Sequence, residues 1–185
     1  MIRHSQARIT PGYAYFTVST NTACIDNPMG QVLKKRLKQK KFRSPRHEVA
    51  LNLILANNFL RQTIDEICGE LGITNQQYNI LRILRGVHPE GHRCAEIRGR
   101  MLDRAPDITR RLDVLEEMGL VKRRRSAEDR RAVVSYITQR GLALLEEMDP
   151  YFNRLDDKIS ERLSLKECRE LSVLCEKLYG DSEEE

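Results

Sequence analysis

Tryptophan is absent from these 185 residues, and aromatics make up only 5% of them. Sandwiches and barrels draw heavily on aromatic and β-branched pairs, so this poverty points to a helical protein packed with leucine and isoleucine. No apolar run approaches the ~20 residues that a membrane-spanning helix needs. The cysteines number five (Cys24, Cys68, Cys94, Cys168, Cys175), and none stands in a CxxC pair. An odd count without that spacing argues against a disulfide framework or a zinc ribbon, and it points to a reducing cytoplasm. Cys68, Cys94, Cys168 and Cys175 fall mostly on apolar helical faces, where inert thiols are the common case. A glycine-rich phosphate loop, a nucleophile elbow and paired carboxylates in an apolar setting are all missing. The four histidines are scattered. An enzyme is therefore not expected, and neither is a cofactor.

What is present is charge. Lysine and arginine number 32 against 27 acids, for a net charge of +5 and a pI near 9.0. That balance permits a polyanionic partner without establishing one. More telling, the basic residues cluster twice, near 34–46 and 122–131. The second cluster belongs to a stretch, 97–138, that reads as helix, tight turn, helix and arginine-rich hairpin. Ile97, Met101 and Leu102 give the first helix an apolar face. Pro106 suits the first position of the second helix, with Asp107 in its first turn. Ile108, Leu112 and Leu115 recur at helical spacing, and Gly119 ends the helix. LVKRRR, a charged turn and RAVVSYI then make two strands. A two-helix corner can lay its second helix in a DNA major groove, while basic hairpins meet phosphates or a minor groove.

These residues resemble the winged helix-turn-helix of the MarR family of transcriptional regulators. DITRRLDVLEEMGLV, the wing SAEDRRAVV and the Thr138–Gly141 pair carry the resemblance, which extends more weakly over about residues 31–180. The expected fold class is mainly α with a small β-hairpin wing: a winged helix-turn-helix flanked by N- and C-terminal dimerisation helices. The candidate DNA-facing residues of the recognition helix are Pro106, Asp107, Thr109, Arg110, Arg111 and Asp113. Arg110 is the best base reader, because arginine can bond both acceptors of guanine. Asp107 would accept from cytosine or orient Arg110 or Arg111. In the wing the candidates are Lys122, Arg124, Arg125, Asp129, Arg130 and Arg131. The family pattern implies that Asp129 holds Arg131 and that a wing arginine, Arg131 or its rival Arg130, enters the minor groove. It also implies a homodimer and, commonly, a small aromatic or phenolic effector. No residue here fixes a pocket for one.

In chain order, residues 1–30 are expected to be a disordered extension, with Met29 a possible start of translation. Gln31–Arg43 reads as a short basic helix that docks by Leu33 and Leu37; a solvated lead-in is preferred to a DNA-flanking arm. A helix capped by Ser44 and Pro45 runs to about Cys68 with two apolar stripes, one of them including Val49, Leu53 and Leu60. Together with the preceding basic helix it makes an N-terminal dimerisation region, 31–72. The DNA-binding region is expected over 73–138, opening on a Thr74/Gln77 capping box. His88, Glu90, His92 and Cys94 alternate at spacing two, which leaves a metal-responsive regulator using His88, His92 and Cys94 as an alternative; Pro89 and Gly91 favour a turn instead. Region 139–185 begins with a long helix that Pro150 should interrupt and kink. Its last helix, capped by Ser164 and Glu167, turns Cys168, Leu171, Leu174, Cys175 and Leu178 inward, and an acidic tail follows. Wide apolar faces on the terminal helices suggest a dimer through Val49, Leu53, Leu60, Leu171, Leu174 and Leu178. A winged-helix module that binds only proteins is the remaining alternative.

Overall fold

A computed structural model of the protein describes residues 30–103, 107–126, 129 and 131–180. The chain divides into two compact units, 1–48 and 49–185. The first contains α1 (Gln31–Leu37), a connection, and the opening of α2 (Pro45–Glu70). Ser44 caps α2 by accepting from the His47 N–H at 3.2 Å, and proline follows at the first helical position, where no N–H is needed.

The second unit carries the rest of α2, then α3 (Asn75–Arg85), β1 (His92–Arg93), α4 (Cys94–Arg100), α5 (Ile108–Glu117), β2 (Val121–Arg125), β3 (Val133–Ile137), α6 (Gln139–Ser160) and α7 (Leu165–Tyr179). The expected mainly helical class with a hairpin wing is what the chain adopts. Gly72, at φ +73°, turns the chain out of α2. Thr74 and Gln77 then form the capping box: the Gln77 N–H donates to Thr74 Oγ1, and the Thr74 N–H donates to Gln77 Oε1. Ile80, Leu81 and Leu84 of α3 are fully buried, together with Ile97, Ile108, Leu112, Leu115, Val121, Leu145 and Met148. One core thus joins α3, α4, α5, the sheet and α6. Tyr78 stacks on Phe152 with ring centres 4.5 Å apart, fixing α6 to α3.

The sheet has three strands in the order β1-β3-β2, all antiparallel. Its third member corrects the sequence reading, which takes the stretch before Cys94 for a turn alone. His92 pairs with Ser135 and Arg93 with Val134. Two residues are too few to show a strand's alternation. Gly91 permits the approach, because a Cβ there would collide with the Ser135 carbonyl and the Val134 side chain.

Other expectations also change. Leu102 lies beyond the end of α4 and is 89% exposed, so it contributes nothing to an apolar face. Asp107 is the N-cap of α5 rather than a member of its first turn. Pro150 does not interrupt α6, which runs unbroken from Gln139 to Ser160. In α7 no residue is buried within the single chain: Leu171, Leu174 and Leu178 are exposed, and Cys168 and Cys175 are half-buried.

The Thr138–Gly141 pair shows why the strand-to-helix junction needs those residue types. The Thr138 hydroxyl donates to the Gly119 carbonyl at 2.8 Å and accepts from the Gly141 N–H at 3.1 Å. A Cβ on Gly141 would run into the Leu120 carbonyl and Ile137 Cγ1. Gly141→Ala is therefore expected to destabilise the fold by about 1–3 kcal/mol. In a chain of this size, each kcal/mol is roughly 2–4 °C of melting temperature. Gly69→Ala, a helical position with open space around the added carbon, should leave the melt unchanged or raise it. A thermal melt of the two variants checks the pair, and equal losses would refute the steric account.

Candidate nucleic-acid interface

The candidate recognition helix α5 is placed by contacts on three sides. Its inner face, Ile108, Leu112 and Leu115, is buried, which leaves Thr109 and Arg110 exposed. The turn ahead of it is pinned from outside. Arg61 on α2 grips Asp103 with two guanidinium bonds, at 2.8 and 3.1 Å. The Leu102 N–H donates to Asn79 on α3 at 3.1 Å. Forked arginine–carboxylate bonds fix orientation as well as distance, so α2 and α3 together aim the corner.

The third side is the wing. The Arg123 N–H and Nε each donate to Glu116, both at 2.8 Å, and its terminal nitrogen lies 2.6 Å from Asp113 Oδ1. One arginine of the basic strand thus fastens β2 to α5 and neutralises two acids on the helix. Arg123 holds the Glu116 carboxyl below the usual range, chiefly through the side-chain hydrogen bond, and the Arg123 guanidinium is correspondingly raised. A depressed carboxyl stabilises the fold above the unfolded glutamate pKa, about 4.3. That contribution disappears as pH falls through the lower folded value. With Glu116 37% exposed, solvent screening keeps it small. Arg123→Ala should return the Glu116 carboxyl to the ordinary range, which a carboxyl-carbon NMR titration reads directly; an unmoved titration would show that the pair is not formed in solution.

Strand alternation leaves Lys122 and Arg124 exposed, and Arg125 at the end of β2 is exposed too. Asp129 contacts Arg131 through the backbone. Its Oδ1 accepts the backbone N–H of Arg131 at 3.0 Å, and its Oδ2 faces the Arg93 guanidinium at 3.7 Å. The carboxylate therefore shapes the turn, and the Arg131 side chain projects from it exposed. Pro106 and Arg130 lie outside the described residues. Asp107, Arg110 and Arg111 line a cleft of about 220 Å³ with Thr74 and Gln77 of the α3 N-terminus. Arg111 is half-buried there, and its Nε has no hydrogen-bond partner among the described residues.

The structure adds Arg61, Asp103, Asn79, Glu116 and Arg123 as positioning residues that the sequence reading missed. Spacing alone could have hinted at Glu116 and Arg123, seven apart across a turn; Arg61 and Asp103 are 42 residues apart and left no local signal. The alternating His88, His92 and Cys94 do not converge. The buried His92 ring sits against Arg100, with Nε2 at 2.6 Å from a guanidinium nitrogen. Among the described residues no three His, Cys, Asp or Glu side chains cluster to hold a metal. Cys68 is fully buried, and burial pushes its thiol up to about 11, as an inert thiol requires. Cys94 is instead half-buried, with its sulfur 3.9 Å from Thr109 Oγ1.

No helix among the described residues is long and apolar enough to cross a membrane. The MarR family model matches residues 73–133, which hold α3 through the start of β3. A MarR transcription factor from Planctomyces limnophilus is 37% identical, over 74% of this chain and 98% of that one, with a TM-score of 0.58. The HTH-type transcriptional regulator PapX of Escherichia coli is 25% identical over 154 residues, 80% of this chain and 94% of that protein. The fold is also that of the S. aureus MepR–DNA complex, with a TM-score of 0.64 at 21% identity over 71% of this chain and 96% of that one. With a winged corner of this geometry and a 37% identical relative matched almost end to end, the chain belongs to the MarR family of transcriptional regulators.

Proposed function

We propose that the protein is a cytoplasmic homodimer that binds a palindromic operator and represses transcription by occupying it. The observation that carries this reading is the sorting of charge at the corner. Arg123 and two acids of α5, Asp113 and Glu116, consume one another, while Arg110, Lys122, Arg124, Arg125 and Arg131 stay exposed on the same module. Exposed arginine on a recognition helix suits base edges, and wing cations suit phosphates or a narrow minor groove. The cleft at the α3 N-terminus adds Arg110 and Arg111 beside the positive end of a helix, a setting that favours a backbone phosphate. MepR, of the same fold, has been solved with DNA.

Dimerisation follows from the exposed leucines of α7 and from Val49 on α2, which a lone chain leaves in water. Two-fold symmetry would set half-sites about one helical turn apart. Control by a small aromatic or phenolic effector is the mode that family membership favours. Selection of bound duplexes from a random pool tests the whole reading. A palindromic consensus is expected; an unstructured pool with no salt-dependent affinity would favour a module that binds only proteins.

A further inference from the structure

Lys34 to Arg46 carries eight lysines and arginines and no acid. Without them the chain would hold 24 basic residues (32 − 8) against 27 acidic ones, and its net charge would be −3 instead of +5. The positive balance of the whole protein therefore resides in thirteen residues well away in sequence from the recognition helix and wing.

The structure leaves these charges unspent. Seven of the eight are exposed, and Lys34 is half-buried. Among the described residues none of them forms an ion pair, whereas Arg61, Arg85, Arg93 and Arg123 each have an acidic partner. The segment's backbone spreads them. α1 stops at Lys38, whose φ of +53° is a conformation that favours glycine, and the Gln39 N–H closes the helix on the Lys34 carbonyl at 3.0 Å. The following lysines sit on irregular backbone, so the charges do not gather on one helical stripe.

That pattern separates the candidate partners. A helix that lies on a bilayer needs an exposed apolar face opposite its cations. Here Leu33 is buried, Leu37 is half-buried, and the seven-residue α1 exposes a single large apolar side chain, Val32, too little to make a face. Dispersed, unpaired cations with no apolar face match a regular polyanion, which releases counterions as each phosphate is neutralised.

We propose that residues 34–46 form a second, sequence-independent contact to the phosphates of duplex DNA flanking the operator, an inference that rests on the operator-binding reading. Tethered to a module already held on DNA, the segment meets the flanking duplex at high effective concentration, so individually weak contacts accumulate.

The test uses the full chain and a variant with Lys34, Lys35, Lys38, Lys40 and Lys41 changed to Gln. Each is titrated against salt on two duplexes with the selected operator, one ending at the half-sites and one extended about 15 base pairs on each side, a length on the order of 1.5 helical turns. The parent should bind the extended duplex more tightly and with a steeper salt slope. Removing one lysine–phosphate pair lowers that slope by about 0.9, so the variant should lose roughly three or more on the extended duplex and at least about tenfold in affinity. On the short duplex both proteins should bind alike, and both should select the same consensus. Equal affinity and slope for the two proteins on the extended duplex would overturn the proposal. So would lysine-dependent binding to phosphatidylserine vesicles with no change on DNA, which would assign the segment to a membrane surface. If the parent binds neither duplex, the operator reading fails first and the flanking contact falls with it.

Discussion

Arg110→Ala is expected to weaken binding to the selected operator by about 2–6 kcal/mol. The figure is about 1–3 kcal/mol for the loss of a bidentate arginine–guanine pair, counted once per half-site in a symmetric dimer. The exposure of Arg110 on α5, beside the buried Ile108 and Leu112, supports that assignment. Preference at one base position of each half-site should relax at the same time. Arg131→Ala makes the contrast. Its side chain leaves a turn whose backbone is held by Asp129, so the turn should survive the change. Binding should weaken with the half-site core unchanged. The salt slope should fall by about one for every phosphate no longer neutralised, or the weakening should concentrate at A·T-rich flanks if the side chain enters the minor groove. Site selection and salt titration of both variants decide the matter. Should Arg110→Ala leave the motif intact while Arg131→Ala rewrites its core, the roles of helix and wing are exchanged.

A second large effect is expected from Leu174→Glu combined with Leu178→Glu. These side chains are 62% and 67% exposed in the single chain. An α7 carrying four exposed leucines and an exposed valine is costly to leave in water. Burying a leucine contributes about 1.5–3 kcal/mol, and each substitution acts twice across a two-fold. Dimer dissociation should therefore rise by several orders of magnitude. The isolated fold should persist, because no α7 residue belongs to the buried core. Sedimentation velocity at micromolar concentration reads the outcome. A variant that stays dimeric would move the interface elsewhere, and an unaltered protein that is already monomeric would remove the dimer from the mechanism.

Much of this architecture is written locally. Capping boxes at Thr74 and Ser164, the Thr138 cap, the left-handed glycines 72 and 119 and the apolar spacing of α5 all act within a few residues, so the chain declares them in order. Helices and hairpin are legible for that reason, and the exposure of Arg110 follows from the periodicity of its neighbours. The strand at His92–Arg93 is not legible, because a two-residue strand exists only through the β3 edge it meets. Pro150 reads as a break, yet α6 is continuous, since a helix packed on α3 through Phe152 and tied by the Arg85–Asp149 pair tolerates the absence of one backbone bond. The sequence by itself determined which residues are basic and which helix face is apolar. Only the tertiary structure decided which charges are free. Arg123 turns inward to Glu116 and Asp113, Arg61 reaches Asp103 across 42 residues, and Asp129 meets Arg93 from the neighbouring strand. Those pairings depend on distances between elements, which periodicity and capping do not encode.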